Sequence, residues 1–282
     1  MKQTLLLIFG CLLLSCQQPK QITAIIPITP STPSIKGNWQ GVMKYQFKYY
    51  KRFICFDDSF CITYNLGRLK YYIHNDSVMM ENVLRNGYHQ KRQYAIKKLT
   101  GDSLELLAPA TRDYPADTMS LNRVYKKNTI KPSTIYFASS VCYGSCPAMY
   151  LQINSDRTIA FYGLRYTGKE GGSSGKLSES EYATILNMIN NLPVDSLKEF
   201  YHSHSSDAST RGVAIETDGK LIESTALGTN AEPVELNMLL TKLLYVYEHT
   251  PLKADTTVSR DYFSKLPAGK LLTGRTTFPE PK

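Results

Sequence analysis

The chain has 282 residues, with 33 Lys+Arg against 24 Asp+Glu and a formal charge of +9 at pH 7. Apolar residues make up 42% and charged residues 20%, an ordinary globular balance. No run approaches about 18 continuous apolar residues, so no transmembrane helix is predicted; after the first few residues the length is too great for one small domain and enough for two separate cores.

The amino terminus sets an expectation about location. Lys2 precedes an apolar run from Leu5 to Leu14. That is the length of a signal-peptide core and too short to cross a bilayer of about 30 Å. Leu13-Leu14-Ser15-Cys16 then looks like the lipobox of bacterial lipoproteins. The resemblance implies a signal peptide over residues 1–15, cleavage before Cys16, and diacylglycerol and palmitate-type acylation of that cysteine. Several acyl chains on one residue suffice for stable anchoring, since each buried methylene contributes about 0.8 kcal/mol. Residues 16–34 hold Pro19, Pro27, Pro30 and Pro33 and read as an extended lipidated tether. Gln17 is not acidic, and lipoprotein sorting rules then favour the outer membrane of the cell envelope. The expected partner is therefore a membrane, reached through the lipid on Cys16. Nucleic acid is excluded as a partner, because an exported protein rarely meets it.

Charge is uneven along the chain. Residues 36–131 carry 17 Lys+Arg and 8 Asp+Glu, whereas residues 132–282 carry 14 and 16. The basic half is the membrane-proximal half. Its charges serve either as a solvated, solubilising surface or as an attraction to anionic head groups, which fades over about 8 Å at physiological salt.

The overall expectation is an α+β chain with a β-rich first half. Twenty Tyr residues fit strands and half-wet surfaces. Strand-like segments run from Val42 to Tyr50, Arg52 to Phe56, Phe60 to Tyr64, Arg68 to His74, Ser77 to Val83, Tyr88 to Leu99, Ser103 to Leu107 and Met119 to Tyr125. Turn clusters such as Asn75-Asp76 and Thr100-Gly101-Asp102 separate them, the rhythm of an antiparallel barrel or sandwich. Gly37-Asn38-Trp39 and the run Tyr94–Leu106 resemble lipocalin-like domains over residues 35–127. That resemblance implies a barrel with Trp39 plugging one end, and an apolar or envelope-derived ligand.

Residues 128–134 read as a linker to a second domain over residues 134–248. Ile135 to Ala138 is a strand, and Met149–Asn154 with Thr158–Tyr162 forms a hairpin. Lys169 to Lys176 is rich in Gly and Ser and reads as a flexible loop. Ser178-Glu179-Ser180-Glu181 fits a capping box before an amphipathic helix that Pro193 stops. Asp218-Gly219 between two β-like runs is a strong two-residue hairpin signal. Glu232-Pro233 opens a second amphipathic helix with a wide leucine face. Two hairpins and two helices predict an α+β domain. Residues 249–282 lack a period and read as an exposed tail. This half resembles an uncharacterised domain family of exported lipoproteins, on Cys142-Tyr143-Gly144-Ser145-Cys146-Pro147, Phe161-Tyr162-Gly163, the capped helix and the leucine-rich helix. The family brings a fold expectation and no activity.

Four cysteines remain after Cys11 and Cys16: Cys55, Cys61, Cys142 and Cys146. In an oxidising compartment two close pairs predict two local disulfides. Cys142 and Cys146 have two other readings: a redox pair, or a zinc site completed by His202 and His204. Spacing disfavours the redox reading, because thioredoxin-type pairs have two intervening residues. Asp57-Asp58 lacks the alternate ligands of a calcium loop. His202 to Asp207 contains Ser, His and Asp, but no Gly-x-Ser-x-Gly elbow supports a triad. No phosphate-binding glycine loop occurs, and no cofactor is expected. The favoured expectation is a non-enzymatic envelope lipoprotein that binds a ligand or a protein partner. The alternative is a metal- or thiol-dependent enzyme using Cys142, Cys146, His202 and His204.

Overall fold

Alternating apolar residues in the first half close a sheet on itself. The computed structural model describes residues 33–275, apart from 46–47, 59, 64–66, 84–88, 111–115, 126, 204–206 and 229–230. The lipidation residue Cys16, the signal and tether segments up to residue 32, and the end of the tail lie outside the described residues, as does His204.

Eight antiparallel strands form a closed barrel: β1 (Gly37–Tyr45), β2 (Lys48–Phe56), β3 (Phe60–Thr63), β4 (Gly67–His74), β5 (Ser77–Val83), β6 (His89–Leu99), β7 (Ser103–Ala108) and β8 (Asp117–Arg123). Each pairs with the next, and β1 meets β8 with Trp39 opposite Arg123, which closes the ring. Closure removes both sheet edges and decides between barrel and sandwich. The expected single strand over 42–50 is divided, with Tyr45 facing Lys48 across a hairpin.

The barrel interior is packed with side chains. Trp39, Phe56, Met80, Leu104, Leu106 and Leu121 are all at most 2% exposed. Trp39 Nε1 donates to the Ile35 carbonyl at 2.7 Å, and the Arg123 guanidinium lies 4.1 Å from the Trp39 ring centroid. Arg123 also donates to the carbonyls of Lys36 and Ser34, both at 2.6 Å, and so staples the chain entry over the Trp39 end.

The second half is an eight-stranded sheet. Its strands are β9 (Thr134–Ser139), β10 (Ala148–Asn154), β11 (Thr158–Arg165), β12 (Gly171–Lys176), β13 (Phe200–His202), β14 (Thr210–Thr217), β15 (Lys220–Leu227) and β16 (Leu252–Ala254). Their order is β13-β15-β14-β9-β10-β11-β12-β16, antiparallel except for the β13–β15 pair. The Asp218-Gly219 turn has both residues at positive φ, 48° and 71°, as a two-residue hairpin requires. Helices α1 (Glu179–Ile189) and α2 (Val234–Tyr245) contribute Ile185, Ile189, Leu239 and Leu243 to a core with Phe137 and Leu151 of the sheet. With the barrel, this makes the chain mostly β.

Two sequence expectations are corrected here. The Gly/Ser run over 169–176 is in part strand β12, held between β11 and β16. A Cβ on Gly172 would lie 1.8 Å from the Val258 carbonyl oxygen, so the small residues admit a neighbouring backbone. The region after residue 249 is not an exposed tail through residue 275. It adds β16, then helices α3 (Arg260–Ser264) and α4 (Pro267–Lys270). Phe263, Ala268, Leu271 and Leu272 are buried against Tyr136, Ala138 and Tyr150. The alternation of β9 explains this: Ile135 and Phe137 face α1 and α2, while Tyr136 and Ala138 face α3 and α4. A sheet apolar on both faces needs cover on both.

Barrel and sheet belong to one compact unit within residues 33–282. Phe53 and Cys55 of β2 and Ile62 of β3 point out of the barrel and join the α1–α2 core. Gly67, at φ +65°, lets the Tyr245 hydroxyl approach within 2.7 Å of where a Cβ would stand.

Candidate functional site

The seam between the barrel and the two helices carries a cluster of buried and part-buried charge. Capping starts it. Ser178 Oγ accepts from the Glu181 amide at 3.1 Å, which fixes the first turn of α1. The Glu181 carboxylate turns to Lys242 Nζ of α2, 2.7 Å away. Lys242 Nζ also lies 3.4 Å from Asp57 Oδ2, at the turn after β2. The Lys242 side chain is only 5% exposed. Burial pulls its ammonium pKa down, but the charge and hydrogen bond of Glu181 and the charge of Asp57 outweigh this, and the net direction is up. Lys242 is therefore a fixed cation and not a general base.

Beside this triad lies a cleft of about 200 Å³. Arg68 of β4 enters it from the barrel, its guanidinium carbon 3.2 Å from the Phe60 ring centroid. His249 stacks on the same ring with centroids 5.0 Å apart. Burial lowers the Arg68 pKa to about 10, partly offset by Glu248, so the group stays charged at neutral pH. Burial also lowers His249 to about 3, aided by Arg68 and Lys242, so the ring is neutral. Arg68 Nη2 and His249 Nε2 are buried with no hydrogen-bond partner among the described residues. The nearest carboxylate to Arg68, on Glu248, is a loose 3.9 Å away.

Three groups of the cleft that could in principle act as nucleophile or base are held in other states. Burial pushes the Cys55 thiol up to about 12, so it is not a thiolate. Ser178 is engaged as a cap, and Lys242 holds its proton.

A second buried network is structural. Arg211 of β14 meets Glu232 at 3.5 Å and donates to Thr241 Oγ1 at 3.2 Å, and Asn237 Nδ2 donates to Glu232. It ties the start of α2 to the sheet.

The residues singled out from sequence are dispersed. Cys142 and Cys146 form a disulfide, with Cα atoms 5.6 Å apart. Cys55 and Cys61 do not, which corrects the second expected bridge. The pleat is the reason. Cys55 lies opposite Ile62, and Cys61 opposite Phe56, so the two thiols point to opposite faces of the barrel wall. Cys55 joins the outer core and Cys61 the interior. His202 lies on β13 and is exposed. The Tyr143 amide donates to the Asp207 carbonyl at 3.3 Å, so the disulfide loop lies beside the segment that follows β13. The bridged sulfurs carry no thiolate for a metal, and no group of three or more metal-ligating residues occurs among the described residues. Arg68, Lys242 and His249 belong to no recognisable sequence motif. Their only signal is a Lys and a His on the strongly apolar C-terminal helical segment.

The disulfide segment and the sheet around it also carry the family likeness. Residues 133–247 match a domain of unknown function, DUF6438. That stretch runs from β9 through α2 and leaves out both the barrel and the C-terminal cover. No curated protein matches the chain. No solved structure matches it.

Proposed function

We propose that this protein is a lipid-anchored lipoprotein of the cell envelope, a non-enzymatic binding module whose ligand lies in the cleft between barrel and helices. One observation carries the binding part. Arg68 and the neutral His249 are among the residues that line a 200 Å³ cleft, and just behind its wall Arg68 Nη2 and His249 Nε2 are buried with no hydrogen-bond partner among the described residues. Leaving a buried polar group unmatched costs about 1–3 kcal/mol, which a molecule that shifts these two side chains on binding would recover. The filled barrel end around Trp39 argues for the cleft over the barrel as the place of binding. The lipobox-like Leu13-Leu14-Ser15-Cys16 supports the anchor, with the outer membrane as its destination. A metal- or thiol-dependent reaction at Cys142, Cys146, His202 and His204 would need thiolates that the disulfide consumes.

Native mass spectrometry of residues 17–282 purified from a periplasm tests the binding reading. A small mass that leaves on denaturation, and is lost in Arg68→Met, is the expected result. Retained zinc or free thiols at Cys142 and Cys146 would overturn it in favour of a chemical site. Radiolabelled palmitate incorporated by the wild type and not by Cys16→Ser tests the anchor.

A further inference from the structure

The packing around Trp39 fills one half of the barrel, and the interior changes character beyond it. Ile54 of β2 belongs to the Trp39 cluster, and Tyr94 of β6 packs against it. Successive side chains of a strand alternate between the two faces of the wall. The next interior position on β2, away from the Trp39 end, is therefore Arg52, and on β6 it is Arg92. Register agrees. Arg92 lies opposite Met80, a member of the cluster, and Arg52 lies opposite Gly41, which offers no side chain of its own. Both strands run toward the Trp39 end: β2 passes Trp39 at Ile54, and β6 leads into the turn whose Asp102 carbonyl accepts from the Arg123 amide.

Strands β2 and β6 are four places apart in either direction round the closed ring, so the two arginines enter from opposite walls. An eight-stranded barrel is just wide enough for side chains to fill, and long side chains from opposite walls converge near its axis. Solvent reaches this level, because Arg92 is exposed and Arg52 half-buried. Two cations at interior positions break the pattern that packing sets, and such breaks mark functional positions.

Two guanidiniums in one narrow lumen repel each other, and an anion between them replaces that repulsion with two attractions. Each guanidinium presents a fork of donors. A phosphoryl group carries about −1.5 to −2 charge at pH 7 and three acceptor oxygens, enough for two forks at once, whereas a carboxylate has one charge and two oxygens. Lys44, Lys48 and Lys51 lie in the same half of β1 and β2 and favour the approach of anions. Asp117 begins β8 two residues beyond Met119, which packs on the cluster. Its charge near the opening disfavours a second acidic group on the ligand. Trp39, Met80, Leu104 and Leu106 form an apolar floor below.

We infer that the half of the barrel away from Trp39 holds a phosphate monoester, its phosphoryl group between Arg52 and Arg92 and the rest of the molecule directed to the opening. This site is separate from the seam cleft and does not rest on it.

Isothermal titration of residues 17–282 tests this with inorganic phosphate, glycerol phosphate, dihexanoyl phosphatidic acid and propionate as probes. At least one of the two esters should bind, with propionate at least about tenfold weaker and Arg92→Gln lowering affinity at least about tenfold. Arg52→Gln should show the same loss; Arg92 is the more exposed, so its variant reads the site even if Arg52→Gln folds poorly. Lys91→Gln removes a charge from the outer wall, where Lys91 pairs with Glu81 at 3.0 Å, and should leave affinity within about twofold. Preference for one ester tells a free ester from a lipid headgroup, and either preference supports the site. Equal losses in Lys91→Gln and Arg92→Gln would reduce the binding to general attraction by a basic surface and overturn the site. Propionate or inorganic phosphate binding as tightly as the esters overturns the monoester assignment. No heat with any probe overturns the inference.

Discussion

Lys242 Nζ lies 3.4 Å from Asp57 Oδ2, an ion pair that joins helix α2 to the barrel turn after β2. The same ammonium lies 2.7 Å from Glu181 at the start of α1. Three elements distant in the chain thus share one buried cation, and the seam that lines the cleft depends on it.

Lys242→Met should therefore destabilise strongly. Removing one member of a buried ion pair leaves the other charge without a partner and costs about 3–5 kcal/mol. Asp57→Asn should cost less, because Asp57 is more exposed and Lys242 keeps Glu181. Urea unfolding followed by circular dichroism measures both. Equal small losses would show that the pair does not hold the seam.

Barrel and sheet should unfold together. Phe53, Cys55 and Ile62 of the barrel are buried in the same core as Leu239 and Leu243. Phe53→Ala should cost about 3–5 kcal/mol and lower one common transition. Two separate transitions by fluorescence and calorimetry would refute the shared core.

Thiol chemistry should separate the two cysteine pairs. Native protein should react with no thiol reagent, because Cys55 and Cys61 are 2% and 0% exposed. Unfolded protein comprising residues 17–282, which lacks Cys11 and Cys16, should release two thiols, and four only after reduction. Replacing Cys142 and Cys146 by Ser should cost about 2 kcal/mol, the chain-entropy value for so short a loop. Four blocked thiols without reduction would mean that Cys55 and Cys61 do pair.

Ending the chain at residue 249 should expose the sheet face of Tyr136, Ala138 and Tyr150. The truncated protein should bind an apolar dye and melt at lower temperature. Phe263→Ala, which keeps the chain intact, should cost about 3–5 kcal/mol. An unchanged melting temperature in both would mean that α3 and α4 pack only loosely.

Acid should weaken the fold through His249. Its folded pKa, about 3, lies below the value near 6.5 expected for the unfolded chain. Between these values the unfolded state binds more protons, so stability rises with pH in that window and falls as pH drops through it. Burial is the main cause, with Arg68 and Lys242 adding repulsion. Glu248, whose pKa is raised by burial, partly opposes the effect, because the folded state then takes up its proton first. Melting temperatures of wild type and His249→Phe from pH 7 to pH 4 should diverge, with the variant falling less. Parallel curves would remove His249 from the account.

Local signals in the sequence determined local structure. Asp218-Gly219 makes its hairpin because few residue pairs tolerate two positive φ angles in succession. Ser178 caps α1 because its hydroxyl reaches an amide three residues on. Trp39 Nε1 reaches the Ile35 carbonyl, and Cys142 meets Cys146, because each contact closes over a few residues. Tertiary structure alone decided the rest. The hydrophobic pattern of the Cys55 and Cys61 strands does not reveal which wall face each thiol takes; that depends on the register of β2 against β3. The cover over the second sheet face comes from a segment with too little periodicity to announce a helix. The cleft draws on residues 57, 68, 181, 242 and 249, which only closure of the barrel and its docking on α2 bring together. Desolvation gives these charges their character, and it is a property of packing that no single stretch of sequence contains.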